Sequence, residues 1–374
     1  MSLNKVLRRT AKDEELGFNL IIEFLRLFFA IEIMFTHIYR FNFNYLDSLL
    51  DKTIFLVDFF FVISGFVLYP IYERKFNRKN KISDFTDFAI KRARRFLPNL
   101  LIILFLNFSL FKFEEFMEAR GYHQVIVYPE WDLTKIFLSV LMLQMFFAGP
   151  LNLLPLSWSV SAEYYSNLFY MFKKTFNSNM ALITISILSF VAYVILYKFD
   201  VKIDPNAEFG TNHIPALFKG INGIAVGFLA RRNLARLRNF RFTKFSILIL
   251  IILYFLPYMD LALLVSNVAF GLFLVYITQW DFDRESILGR VSYLGGAIAY
   301  SMYLTQQFAI DVVNYITNQS YKITPLGFKF VNHDTPPELI LRFLSVLFIS
   351  FFVSFFVEKV SRKIAGIKPI YSKE

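Results

Sequence analysis

The sequence predicts an all-α polytopic membrane protein of about ten transmembrane helices, with a re-entrant or interfacial segment at about 134–157 and both termini cytoplasmic. Three observations carry this. Of the 374 residues, 56% are hydrophobic and the mean hydropathy is +0.49, above the roughly 45–50% apolar content of soluble domains. The excess sits in runs of about 16–20 residues, the length that crosses a ~30 Å hydrocarbon core. Residues 180–197, 245–258 and 261–278 contain no charged side chain, so they leave no polar face for water. The basic residues behind the net charge of +11 gather at the ends of these runs. That is the positive-inside pattern rather than the patch a nucleic-acid partner needs.

Charge then sets the path of the chain. Lys5, Arg8, Arg9 and Lys12 place the N-terminus inside, ahead of helices at about 20–38 and 53–70. The 71–95 loop returns to that side with nine Lys or Arg, and a third helix at about 96–112 leads outward. If 134–157 crossed, the basic stretch 231–244 would face outward. Kept on the outer side and broken by Gly149-Pro150 and Pro155, it lets the remaining helices alternate correctly. These fall at about 159–176, 180–197, 214–229, 245–257, 261–278, 293–314 and 338–357. The acidic 198–213 loop is then outside and the tail after Glu358 inside. Residues 1–38 have the basic start and apolar run of a signal peptide, but Glu23, Arg26 and Glu32 favour an uncleaved first helix. A single membrane domain is expected over 1–374. With no cysteine, disulfides, zinc–thiolate sites and a cysteine nucleophile are excluded.

Ionisable groups inside a bilayer cost roughly 2.5–3.5 kcal/mol each on insertion scales unless paired or wet. The first helix carries Glu23, Arg26, Glu32 and His37. Glu23 and Arg26 are i, i+3 neighbours able to pair. Arg26 and His37 share a face about 16 Å apart along the axis, with Arg26 nearer the cytoplasm and His37 near the outer surface. The second helix adds Asp58 and a Ser64-Gly65 pair, whose plain reading is close helix packing. The fourth begins Trp158-Ser-Val-Ser161-Ala-Glu163 at the outer face. Its tryptophan reads as an interfacial anchor, whereas Glu163 needs a partner. Lys219 and Arg342 read as snorkelling or structurally paired, and His123, His213 and His333 as solvated loop side chains.

Together these residues resemble the acyltransferase-3 family of bacterial integral-membrane O-acyltransferases of surface polysaccharides, over nearly the whole chain. The likeness rests on Glu23-Phe-Leu-Arg26 followed by His37, on Phe60-Phe-Val-Ile-Ser64-Gly65-Phe66, and on Arg92-Ala-Arg-Arg95-Phe-Leu-Pro98. It continues with Trp158-Ser-Val-Ser161-Ala-Glu163, Tyr300-Ser-Met-Tyr303-Leu-Thr-Gln306, and Glu358-Lys359 closing the last helix. Three positions depart: Asn167 stands where the family has a tyrosine, Gln306 where it has a histidine, and Lys359 where it has a proline. Gln306 can hydrogen-bond but cannot shuttle a proton.

The resemblance implies transfer of an acyl group, usually acetyl, from cytoplasmic acyl-CoA to a sugar hydroxyl of an envelope glycan such as a lipopolysaccharide. The reaction would take place at the outer face of the bacterial inner membrane. Arg26, Arg92 and Arg95 would meet the anionic donor. His37, with a reference pKa near 6.5, would be the general base. Glu163 would orient it or bind sugar, with Asp58 a second candidate orienter. Glu23, Ser64, Gly65, Trp158, Ser161, Tyr303 and Gln306 would bind substrate or shape the site. The expected partners are acyl-CoA (acetyl-CoA first), a glycan acceptor, free or lipid-linked, and membrane lipids; no metal and no nucleic acid are expected. Direct transfer and a covalent acyl-histidine both stay open. Two rivals remain: a transporter or flippase of a lipid-linked glycan, and a non-catalytic scaffold that keeps only the fold.

Overall fold

The computed structural model describes residues 19–39, 54–76, 82–121, 131–146, 153–171, 178–203, 214–255, 260–317, 321–324, 327–330 and 336–367. His123, His213 and His333 lie outside them, as do the basic N-terminal residues. In chain order the helices are α1 (Leu20–Tyr39), α2 (Ile54–Phe76), α3 (Ile82–Glu118), α4 (Leu133–Val140), α5 (Trp158–Tyr170) and α6 (Asn179–Ile203). They continue with α7 (Ile214–Arg232), the single turn α8 (Leu234–Leu237), α9 (Phe245–Phe255), α10 (Asp260–Ile277), α11 (Ile287–Ile316) and α12 (Pro336–Ala365). A helix stands at each of the ten positions expected from the charge pattern. Among the described residues four stretches are long and apolar enough to cross a membrane: Phe55–Arg74, Ile82–Glu118, Asn179–Leu196 and Pro337–Ala365.

One element departs from the all-α expectation. Strands β1 (Tyr321–Thr324) and β2 (Gly327–Phe330) pair antiparallel, Tyr321 opposite Phe330, in the connection between α11 and α12. Local caps start several helices where the sequence provides them. Asn19 accepts from Ile22 N and Asp281 from Leu20 N, satisfying two of the free donors at the head of α1. Ser286 accepts from Gly289 N at the head of α11.

The directions in which helices pack are specific. α2 and α7 run parallel: Asp58 meets Lys219, Gly65 meets Ile224, and Tyr69 meets Arg232. Their backbones touch, because a Cβ on Gly65 would strike the Ile224 carbonyl and one on Gly227 the Val62 carbonyl. α1 and α11 are parallel too, with Glu23 beside Gly296, and Met34 and Ile38 clustered with Met302, Ile310 and Val313. α11 and α12 are antiparallel, joined at Ser301–Glu358, Thr305–Ser350 and Asn314–Arg342.

The described parts of 134–157, on either side of 147–152, pack within the bundle. α4 ends in a turn at Met142, whose φ of 55° lies in the left-handed region that L side chains adopt at a cost of roughly 1–2 kcal/mol. Ser161 on α5 secures that turn by donating to the Met142 carbonyl and accepting from Met145 N. Met145, Leu153, Leu154 and Leu156 are buried around it. Ser161 therefore shapes the fold rather than facing the cavity described below.

Asp58 and Lys219 form a fully buried ion pair, 3.2 Å apart and at most 1% exposed. Asp58, the second candidate orienter of His37 in the sequence, faces Lys219 between α2 and α7, where neither charge has water to fall back on. Lys219→Met should lower stability by about 3–5 kcal/mol by stranding a buried charge. Adding Asp58→Leu should restore most of the loss, read from thermal unfolding in detergent.

Candidate active site

Five helices enclose a cavity of about 210 Å³. α1 contributes Arg26; α2 contributes Phe60, Ser64 and Leu68; α3 contributes Arg92, Arg95 and Phe96; α5 contributes Ser159 and Glu163; and α11 contributes Ala299, Tyr300 and Tyr303. The wall is mostly apolar with the guanidinium groups set into it. Pro98 lies inside α3, where it lacks the N–H that would bond the Arg94 carbonyl, so the basic and apolar parts of that helix meet at a weakened turn.

Each arginine at the cavity has its own carboxylate. Arg26 Nη1 is 2.9 Å from Glu23 one turn earlier. Arg92 Nη2 is 2.7 Å from Glu163, and Arg95 Nη1 is 2.6 Å from Glu358. Arg92 also lies over Phe96 and Arg95 over Tyr300, at 4.7 and 5.7 Å from the ring centroids. Pairing lowers the cost of placing three guanidiniums within a membrane bundle. It leaves donors to spare: Arg92 Nε and the Tyr300 hydroxyl are buried without a partner among the described residues.

Glu163 is the centre of a relay that runs from α5 to α2. The same oxygen that holds Arg92 accepts from the Ser64 hydroxyl at 2.8 Å. Asn167 donates to the Ser64 hydroxyl at 3.3 Å and to the Glu163 carbonyl at 2.8 Å. The Tyr72 hydroxyl donates to the Asn167 carbonyl at 2.6 Å. A phenol thus reaches this place from α2 although residue 167 is not a tyrosine. Glu358 is the second centre, accepting from Arg95, Arg362, Ser301 and Asn99 while fully buried.

The structure redistributes several expected roles. Glu163 sits beside Arg92, at the level the charge pattern assigned to the cytoplasmic end of α3, and not at an outer level beside His37. The cause is local: α5 begins from the turn Pro155–Ser157, whose Leu156 and Ser157 are buried, so its first residues are already deep in the bundle. For the same reason Trp158 is 6% exposed and packed in the core, with Lys219 Nζ 6.0 Å from its ring, rather than anchored at an interface. Gly65 serves packing against α7, while its neighbour Ser64 faces the cavity. Tyr303 lines the cavity, accepts from Ser159 and donates to the Leu156 carbonyl. Gln306 is fully buried one turn further along α11, away from the cavity lining. His37, half-buried, is likewise not in the lining; it is eleven residues beyond Arg26, about 16 Å along α1.

A family model described as an acyltransferase domain matches residues 19–359. The chain belongs to the acyltransferase-3 family. No curated protein and no solved structure matches it at a significant level. Membership makes this a membrane acyltransferase, and the cavity becomes its candidate substrate site. Among the described residues no group of histidine, aspartate and glutamate side chains is arranged to hold a metal.

In the sequence Glu358 and Ser301 stood out only as parts of motifs, and Asn99 and Tyr72 did not stand out at all. Asn99 did carry a signal, as an amide within the apolar run that follows Pro98. Glu358→Ala should destabilise this acyltransferase by about 3–5 kcal/mol, because two guanidiniums lose a buried acceptor. The adjacent, exposed Lys359→Ala should stay within about 0.5 kcal/mol, measured in the same unfolding assay.

Proposed function

We propose that the protein transfers an acyl group, acetyl first among them, from cytoplasmic acyl-CoA to a hydroxyl of an envelope glycan at the outer face of the bacterial inner membrane. The observation that carries this reading is a small apolar cavity set with three arginines. Guanidinium groups suit phosphate and carbonyl oxygens, and apolar walls suit a pantetheine arm. At about 210 Å³ the cavity is below the ~300–1,000 Å³ of pockets that engulf a drug-sized ligand. It would hold one portion of the donor and leave the rest outside.

No general base lines the cavity, since Glu163 is already bound by Arg92 and Ser64. His37, further along α1, is the residue suited to that task. The acceptor hydroxyl would give its proton to His37 while its oxygen attacks the thioester carbonyl carbon. The C–S bond then breaks, and the departing thiolate takes the proton back from His37. The products are an ester and the free thiol of CoA.

Helix parity supports a ten-crossing path with both termini on one side, the side that the positive-inside pattern makes cytoplasmic. α2 and α7 pack parallel, and so do α1 and α11. With every long helix crossing, these directions agree only if 134–157 returns to the side it entered. A further crossing there would make both pairs antiparallel.

Bound acetyl on envelope glycans, measured by mass spectrometry in cells carrying wild type, His37→Ala or no gene, tests the reading. An acetyl increment lost in both mutant and deletion, with glycan amount unchanged, is expected. In purified protein, Arg92→Ala should weaken CoA binding about 10–100-fold, the worth of a charge-assisted contact, whereas His37→Ala should leave it intact. A fall in exported glycan with acylation of the remainder intact would point to the transporter instead.

A further inference from the structure

A second set of polar side chains is buried away from the arginine cavity, where the C-terminal ends of α3 and α11 meet. Glu114 is 2% exposed, and neither of its carboxyl oxygens has a partner among the described residues. Its neighbour Phe113 stacks edgewise on Tyr315 at 5.6 Å, which fixes the register of the two helices here. Asp311, also buried, lies one turn before Tyr315 on the same face of α11 and accepts from Gln307 Nε2 at 2.7 Å. Asn314 accepts from Arg342 at 3.5 Å, but its own Nδ2 meets no acceptor among the described residues. α1 brings His37 to this level, since the adjacent Ile38 packs with Ile310 and Val313.

Packing alone does not account for this arrangement. A buried polar group without a partner costs several kcal/mol, and a leucine at residue 114 would fill the same space more cheaply. What the cluster lacks is specific: donors for Glu114 and an acceptor for the Asn314 amide. Two carboxylates against the single guanidinium of Arg342 disfavour an anion. A neutral polyol meets both needs, since each hydroxyl donates and accepts.

We propose that this cluster is the subsite where the sugar ring of the acceptor docks, separate from the arginine cavity that takes the donor. The proposal rests on the acyl-transfer reading and adds to it the place and chemistry of the acceptor. Glu114 and Asp311 accept hydrogen bonds from ring hydroxyls, and the amide of Asn314 donates one. His37, at the same level of the bundle, is then on the acceptor's side of the reaction, with the donor's arm reaching toward it from Arg26.

The test uses the full chain in lipid nanodiscs and saturation-transfer NMR with the methyl glycosides of neutral hexoses. CoA binding is followed in parallel by calorimetry. Wild type should saturate at least one glycoside. Glu114→Leu and Asp311→Asn should each weaken that signal about tenfold or more, while CoA affinity stays within about twofold. A wild type that binds CoA but no glycoside would overturn the subsite, as would glycoside binding that survives both substitutions. Glycoside binding lost in the variants, in a protein that never binds CoA, would uphold the subsite and sink the donor reading alone.

Discussion

Charge buried in a membrane bundle has to be matched inside it, and the matching determines where these helices meet. Glu358 alone gathers Arg95 and Asn99 from α3, Ser301 from α11 and Arg362 from its own helix. Glu163 does the same for α2, α3 and α5 through Ser64 and Arg92. In hydrocarbon these contacts have no competition from water, so each is both a cost of burial and a constraint on geometry. The result is that Arg92 and Arg95 are held in place before any substrate arrives. Preorganisation of this kind lowers the ordering cost of binding an anion.

The two polar regions of the bundle differ in chemistry. Around the cavity every carboxylate is committed to an arginine, and the lining keeps two spare groups able to donate, Arg92 Nε and the Tyr300 hydroxyl. At the far ends of α3 and α11 the spare atoms include the acceptors of Glu114. Along α11 the two regions are separate: Ala299, Tyr300 and Tyr303 face the cavity from the middle of the helix, and Asp311 and Asn314 lie near its C-terminal end. His37 and Gln306 lie toward the second region, which explains why neither lines the cavity.

Much of the fold was legible because it depends on short-range rules. Apolar run length and basic flanks located every long helix, and the i, i+3 spacing of Glu23 and Arg26 correctly predicted their pairing. Gly149-Pro150 and Pro155 marked a broken segment, and the turns on either side of 147–152 lie within the bundle. What sequence could not give is depth. Trp158 and Glu163 were placed near a surface because a helix starting after a loop ordinarily begins there, but this one starts from a turn packed in the core. Partners distant in sequence were equally hidden. Asp58 is joined to Lys219 and Arg92 to Glu163, and no local spacing encodes either contact.

The proposed reaction requires an acyl group to cross the bilayer from a donor on the arginine side to an acceptor on the other. Proteoliposomes of known protein orientation, carrying glycan acceptor on one face only, test this directly with acyl-labelled acetyl-CoA supplied to either side. Label should reach the glycan when the donor is added at the face bearing the N-terminus and the acceptor is on the opposite face. Label that appears only when donor and acceptor share a face would contradict the account, and so would glycan that changes face while carrying no label.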